Sequence, residues 1–266
     1  MPILNIENLL VEYAVRGSQP VRAVDGVDLR IEEGQTVGLV GESGCGKSSL
    51  AYAVLGLVKP AGGTIRFRDE DTANLRGRDL QNYRRLVQIV FQDPFNALNP
   101  RMSIGACLDE VLKVHRLRPT RAERAARIIE LLHRVGLDPR MATHYPHELS
   151  GGQRQRVGIA RALAMEPSLL IADEPVSALD VSVQVQILNL LTDLKADLGL
   201  SYLFIAHDLA VVRYMCDTVY VMYQGRIVES APASRLVEAP EHAYTRTLLA
   251  AVPDVDAPRC APDPPG

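Results

Sequence analysis

The sequence predicts an α/β fold in which a mixed, mainly parallel sheet carries a phosphate-binding loop. The stretch GESGCGKSS at 41–49 fits the pattern G-x-x-x-x-G-K-[ST] and lies between a strand-like apolar run and a helical pattern. Short apolar runs alternate with helical segments over 168–207, which favours parallel pairing of those strands. Two longer segments of alternating hydrophobicity precede the loop and predict an N-terminal antiparallel β subdomain.

The phosphate-binding loop has a specific chemistry at its fixed positions. Glycines allow the backbone to turn its N–H groups toward phosphate oxygens, and the N-terminus of the following helix adds positive potential. Lys47 is expected to reach the β- and γ-phosphates, and the Ser48 hydroxyl is expected to bind Mg²⁺. We therefore predict that the chain binds a nucleoside triphosphate. The predicted nucleotide-binding residues of the loop are Gly41, Glu42, Ser43, Gly44, Cys45, Gly46, Lys47, Ser48 and Ser49.

Cys45 lies within this loop, next to a predicted helix N-terminus and two residues before Lys47. Both neighbours favour a thiolate, so the sequence predicts a lowered pKa and raised reactivity for this thiol. The alternative interpretation is a small residue tolerated at a variable position of the pattern.

Composition excludes several classes of protein. The chain has 266 residues, 47% of them hydrophobic, with a net charge of −3 and a mean hydropathy of +0.01. No apolar run approaches the ~20 residues that span a bilayer, and no signal peptide is apparent at the start. A charge so close to neutral argues against nucleic acid as a partner. The four cysteines have no metal-site or disulfide spacing, so we expect a reduced, cytoplasmic protein.

The remaining elements follow from hydrophobic periodicity. Strands are predicted at LNIENLLVEY, VRAVDGVDLRI, GGTIRFR and LVQIVF, the last of these at 86–91. A helical pattern then runs from Ile104 to about Gly136, with Thr120 and Glu123 spaced as a capping box. We place a helical subdomain at about 93–160. A terminal hairpin is expected to turn at Gln224–Gly225, and the Pro-rich stretch 254–266 is predicted to be disordered.

A second predicted anion site opens a helix at LSGGQRQR, 149–156. Ser150 is a good N-cap, and Gly151 and Gly152 leave backbone N–H groups bare at a helix N-terminus. With Gln153, these residues resemble the signature motif of the ATP-binding subunits of ABC transporters, which have a P-loop NTPase core. In that family the signature of one subunit closes over ATP held by the phosphate loop of another. The resemblance implies that one copy of the chain has two half-sites and no complete site.

The segment LLIADEPVSALD, 169–180, presents two acidic residues at the carboxyl end of a buried strand, where α/β sheets bind ligands. By the same resemblance, Asp173 holds Mg²⁺ and Glu174 is the general base that polarises the attacking water. The alternative is a pair of acidic helix-capping residues. Residues 177–180, ending at Asp180, match the family's D-loop, which lies across the dimer interface.

Three single polar residues complete the predicted site. Gln92 resembles the Q-loop glutamine, which senses Mg²⁺ and water, although a glutamine after a strand is often only solvated. His207 resembles the switch histidine that contacts the γ-phosphate. Tyr13 resembles the aromatic residue that stacks on adenine, with a structural tyrosine as the alternative. The predicted catalytic set is thus Glu174, His207, Gln92 and Lys47.

Longer motifs are similar to the dipeptide and oligopeptide importer ATPases. They include VFQDPFNALNPRMS, DEPVSALDVSVQVQILNLL, FIAHDLAVVRYMCD and the C-terminal HAYTRTLLAAVP. This resemblance implies a nucleotide-binding domain at 1–253 that hydrolyses ATP for peptide import. It further implies a second ATPase, identical or paralogous, two transmembrane permeases, and indirectly a solute-binding protein, with the chain peripheral on the cytoplasmic face of the membrane. Nickel, glutathione and other small-solute importers share these motifs, and a non-transport ABC ATPase is the alternative of a different class.

Overall fold

The computed structural model describes residues 1–14, 19–93 and 98–250. The predicted disordered tail and part of the loop after Gln92 lie outside these ranges. The strands are β1 (Pro2–Tyr13), β2 (Val21–Glu32), β3 (Thr36–Val40), β4 (Gly62–Phe67), β5 (Glu70–Asp71), β6 (Val87–Val90), β7 (Leu169–Asp173), β8 (Ser201–Ala206), β9 (Thr218–Tyr223) and β10 (Arg226–Pro232). The helices are α1 (Lys47–Val54), α2 (Gly77–Leu86), α3 (Ile104–Val114), α4 (Arg121–Arg134), α5 (Gly151–Leu163), α6 (Val181–Leu198), α7 (Leu209–Met215), α8 (Ala233–Glu238) and α9 (Ala243–Ala250).

The strands form two sheets, as the sequence predicts. An antiparallel sheet has the order β2-β1-β4-β5, and a second sheet has the order β10-β9-β3-β8-β7-β6. Within the second sheet, β3 pairs in parallel with β8 and β9, and β7 pairs in parallel with β6 and β8. Only the hairpin β9–β10 is antiparallel among the described pairs of this sheet. The α/β class and its mixed, mainly parallel sheet are therefore confirmed.

The central parallel strands β3, β7 and β8 are buried on both faces, and each face packs against a different layer. In β7, Leu169 and Ile171 join the apolar cluster of the antiparallel sheet and α1. The alternate residues Leu170 and Ala172 join the cluster formed with the helices on the other side. Because successive side chains of a strand point to opposite faces, a continuous apolar run is the pattern that such a strand needs.

The helical insert follows β6 and returns to the sheet at β7. Thr120 caps α4, with its hydroxyl accepting from the Glu123 N–H at 3.2 Å and the Glu123 carboxylate accepting from the Thr120 N–H at 2.9 Å. The predicted capping box is thus confirmed. Buried residues of α3 and α4 share one apolar cluster with α5 and α6, so the insert is packed against the core.

The remaining features of the fold are the terminal hairpin and the helices that the sequence did not indicate. The terminal hairpin turns at Gln224 and Gly225, as predicted, and both have positive φ (47° and 82°), as a type I′ turn requires. Helices α2, α7, α8 and α9 were not predicted from the sequence. In the residues that the structure describes, no helix combines the length and apolar character needed to cross a bilayer.

Candidate nucleotide-binding and catalytic site

The phosphate loop joins the end of β3 to the start of α1. The Lys47 side chain is buried (5% exposed) and its Nζ donates to the carbonyl oxygens of Gly41 and Glu42 at 2.7 and 2.8 Å. In the described part of the chain, no backbone carbonyl accepts from the N–H groups of Gly44 and Gly46. Bare N–H groups at a helix N-terminus form an anion site, so the loop is folded in the form that phosphate binding requires.

Two glycines of this loop are required by close packing. A Cβ on Gly46, which has φ +113°, would lie 2.2 Å from the Ala23 carbonyl oxygen. A Cβ on Gly41 would lie 2.2 Å from the Met222 carbonyl oxygen. Since neither neighbour is a flexible side chain, no other residue fits these two positions without moving the backbone.

Asp173 and Ser48 contact each other at the phosphate loop. Asp173 ends β7 with only 6% of its surface exposed, and its carboxyl forms a side-chain hydrogen bond with Ser48. Burial raises the pKa of this carboxyl, and the adjacent Glu174 charge raises it further, while Lys47 and the Ser48 hydroxyl act in the opposite direction. A buried acid of this kind is destabilised as an anion and favours a cation beside it.

Two of the predicted catalytic residues, Gln92 and His207, converge on a third, Glu174. Gln92 Nε2 donates to Glu174 Oε2 at 2.9 Å, and His207 Nδ1 lies 3.2 Å from the same oxygen. Because a carboxylate only accepts, the second contact is a hydrogen bond when Nδ1 carries the proton. Glu174 has a left-handed backbone (φ 46°), held by its N–H donating to the Ile205 carbonyl at 2.9 Å. The side chain of Glu174 is 16% exposed and that of His207 58%, so the cluster faces solvent.

Ser177 also belongs to this cluster, although it was predicted only as the first residue of the D-loop. Its hydroxyl accepts from Gln92 Nε2 at 3.4 Å and donates to the Glu174 carbonyl at 3.1 Å. The sequence signals for Ser177 were this D-loop match and its place three residues after Glu174.

Tyr13 ends β1 and extends toward the phosphate loop. Its hydroxyl donates to Ser49 Oγ at 3.3 Å, and the residue is 38% exposed. The structure therefore places an accessible aromatic ring beside the loop. Stacking on adenine stays a prediction.

The signature residues form the N-terminus of α5. Ser150 Oγ accepts from the Gln153 N–H at 3.3 Å, and Gln153 Oε1 accepts from the Ser150 N–H at 2.9 Å. This capping box leaves the N–H groups of Gly151 and Gly152 without a protein acceptor among the described residues. The signature thus presents a second set of bare N–H groups, formed entirely within the insert.

The D-loop packs beneath the signature of the same chain. A Cβ on Gly152 would lie 2.5 Å from Val183 Cγ1, and one on Gly151 would lie 3.2 Å from Leu179 Cδ2. Asp180 is exposed and is the N-cap of α6, and its carbonyl accepts from the Val183 N–H at 2.9 Å. The glycines therefore allow α5 to approach the start of α6 closely.

The predicted lowering of the Cys45 pKa is wrong. The thiol is buried, 8% exposed, and burial raises its pKa above the ordinary value. Lys47 Nζ, 3.9 Å from the sulfur, acts in the opposite direction, but its effect on the pKa is smaller than that of burial. The sequence shows the lysine and the helix but does not show the burial.

Comparison with known proteins decides the family. The family model described as ABC transporter matches residues 24–177, and the model described as the oligopeptide/dipeptide transporter C-terminal region matches residues 228–265. The chain belongs to the ABC transporter family. It is an ATP-binding and ATP-hydrolysing member, and the resemblance stated from its motifs is confirmed.

Individual relatives agree with this assignment. A Brucella ovis protein named for peptide import and ATP binding is 50% identical over 255 residues, which cover 96% of this chain and 80% of the relative. The oligopeptide transport ATP-binding protein OppF of Bacillus subtilis is 48% identical, covering 94% of this chain and 82% of the relative. A solved dimeric ATP-binding cassette, in a post-hydrolysis state with ADP and Pi, has a TM-score of 0.77 at 32% identity, covering 86% of this chain and 98% of that chain.

Proposed function

We propose that this ABC protein is the ATPase subunit that powers peptide import across the cytoplasmic membrane. Relatives near 50% identity are named for peptide import and oligopeptide transport, and the C-terminal region matches the oligopeptide/dipeptide family model. The observation that carries the catalytic part is the convergence of Gln92 and His207 on Glu174, directly after an acid bonded to the phosphate loop.

The residues around Asp173 fit a Mg²⁺ ion. Mg²⁺ prefers oxygen ligands and takes few from the protein when it binds with a nucleotide. The proposed ligands are the Ser48 hydroxyl, the Gln92 side-chain oxygen and the Asp173 carboxylate, the last directly or through water. The raised pKa of Asp173 supports this choice, because a cation would offset the cost of burying its charge. When bound, Mg²⁺ neutralises charge on the β- and γ-phosphates.

The chain's own residues supply the remaining steps. The bare N–H groups of the loop and Lys47 hold the phosphates, and Tyr13 stacks on adenine. Glu174 orients the attacking water and accepts its proton, while Gln92 and His207 hold that carboxylate in place. Nδ1 of His207 faces Glu174, so Nε2 is the nitrogen left to contact the γ-phosphate.

The complete site requires two ATPases. We propose that ATP held by the phosphate loop of one subunit is closed by Ser150, Gly151, Gly152 and Gln153 of the other, with Asp180 at the interface. A related cassette has been solved as a dimer. Residues 1–253 form the nucleotide-binding domain, with the helical subdomain at about 93–160. Two permeases bind this domain at the membrane and a solute-binding protein delivers the peptide.

Glu174→Gln tests this proposal. The substitution keeps the size of the side chain but removes the base, so turnover should fall by ~10²–10⁴ while ATP still binds. The variant should also accumulate as an ATP-bound dimer in size-exclusion chromatography. Glu238→Gln makes the same chemical change on the exposed face of α8 and should hydrolyse ATP normally.

The variants Glu174→Gln and Glu238→Gln also test, in cells, whether the transported solute is a peptide. In a strain lacking this chain, uptake of a labelled tripeptide should be restored by the wild type and by Glu238→Gln but not by Glu174→Gln. Near-normal ATP hydrolysis by Glu174→Gln would contradict the catalytic assignment. Unchanged peptide uptake in the deletion strain would contradict the assignment of the solute.

A further inference from the structure

A tyrosine near the C-terminus contacts the phosphate loop. The Tyr244 hydroxyl, in α9, accepts a hydrogen bond from the Glu42 N–H at 2.9 Å, across 202 residues of sequence. The ring of Tyr244 packs on that of Tyr223, with centroids 4.3 Å apart and planes tilted by 39°. Neither tyrosine was among the predicted site residues.

The start of α9 is fixed to the sheet, so Tyr244 is held in position. Glu229 of β10 accepts from the N–H groups of Glu241 and His242 at 2.8 and 2.9 Å. Burial alone would raise the pKa of Glu229, but these hydrogen bonds, together with the Thr245 hydroxyl and the His242 charge, outweigh burial and lower the pKa. His242 Nδ1 accepts from the Tyr244 N–H at 3.2 Å. Four hydrogen bonds thus connect β10, α9 and the phosphate loop.

The terminal hairpin contacts the same loop at a second point. The Gly225 N–H donates to the Cys45 carbonyl at 2.9 Å, and the Gly225 carbonyl accepts from the Asp25 N–H at 2.8 Å. The loop is therefore held near its start, at Glu42, and near its end, at Cys45, by residues from the last third of the chain.

We propose that Tyr244 is a positioning residue for nucleotide binding, through which the C-terminal segment keeps the phosphate loop in its binding form. This inference rests on the proposed role of the loop in binding ATP. A loop already held in its bound shape loses less conformational entropy when phosphate arrives, so its affinity is higher. Coupling of this kind is reciprocal, so bound nucleotide must stabilise α9.

The first test is Tyr244→Phe, which removes the hydroxyl and keeps the ring packing on Tyr223. One hydrogen bond corresponds to an affinity loss of about 2- to 10-fold. The full-length chain should bind a fluorescent ATP analogue more weakly by that factor in equilibrium titration. In ATPase assays KM should rise by a similar factor with kcat within about twofold, because Tyr244 does not touch the reacting atoms. Tyr214→Phe removes another tyrosine hydroxyl, bonded to Asn189 at 2.8 Å, and should leave both values unchanged.

The second test measures the reciprocal effect by amide hydrogen exchange. ATP should slow exchange in residues 243–250 of the wild type, and this protection should be lost in Tyr244→Phe. A tyrosine that only stabilises the fold would lower the melting temperature without changing either the affinity or the nucleotide-dependent protection.

Lys47→Ala separates the failure of this inference from the failure of the proposed function. If Lys47→Ala abolishes binding while Tyr244→Phe leaves affinity and α9 protection as in the wild type, the positioning role of Tyr244 is overturned. The assignment of the phosphate loop as the ATP site is then retained. If neither variant weakens binding, the ATP site itself is wrongly placed, and the inference fails with it.

Discussion

Two residues far apart in sequence share one oxygen of Glu174. Gln92 and His207 both contact Oε2, so the carboxylate is restrained from two sides. A general base gains from such restraint because its lone pair must face one water in one orientation. The positions of these residues at strand ends were readable from the sequence. Their common target was not, because it depends on the left-handed backbone at Glu174 and on the register between β7 and β8.

The burial of Cys45 leads to a prediction about pH. The thiolate is the reactive form, and a raised pKa reduces its fraction at any given pH. Maleimide should therefore label Cys45 more slowly at pH 7 than it labels a small free thiol. The labelling rate of Cys45 should still be increasing with pH at pH 9. Mass spectrometry of the labelled peptide gives the rate, with Cys45→Ser as control, and MgATP should slow it further. Labelling at pH 7 faster than that of the free thiol would contradict the assigned burial.

At the scale of elements, the parts with strong periodicity or specific turn residues were predicted well. The apolar run of β7, the capping box of α4 and the turn at Gln224–Gly225 each depend on neighbours in sequence. Helix α2 was missed because GRDLQNYRRL is highly charged and buries little more than Tyr83. Helix α9 was missed because it is short and is held by Glu229, 14 residues upstream of its first residue. Contacts of that range have no local signal.

The contact between α5 and α6 leads to a prediction about packing. In Gly152→Ala the new methyl group would lie 2.5 Å from Val183 Cγ1, and valine has little rotamer freedom in a helix. Overpacking of this kind lowers the free energy of unfolding by about 1–3 kcal/mol. Urea denaturation should show this loss, and Gly152→Ala with Val183→Ala should recover part of it. Unchanged stability of Gly152→Ala would show that the two helices are further apart than described.

At the scale of the whole molecule, one chain carries two different anion sites. The phosphate loop lies between β3 and α1, while the signature caps a helix of the insert, and each has its own bare N–H groups. Ser150 and Gln153 bond to each other and make no described hydrogen bond to the phosphate loop. This arrangement suits a dimer in which each subunit completes the other's site, because one nucleotide then binds both surfaces only when the subunits close.

The most direct test of this account compares nucleotide binding with ATP hydrolysis in two variants. Ser150→Arg and Lys47→Ala should both abolish hydrolysis in the assembled membrane complex. In the isolated chain, Lys47→Ala should weaken equilibrium binding of a fluorescent ATP analogue, since Lys47 acts within its own subunit. Ser150→Arg should leave that affinity nearly unchanged, because the signature acts on nucleotide held by the partner. If Ser150→Arg weakened binding by the isolated chain as much as Lys47→Ala does, the shared site between two subunits would be contradicted.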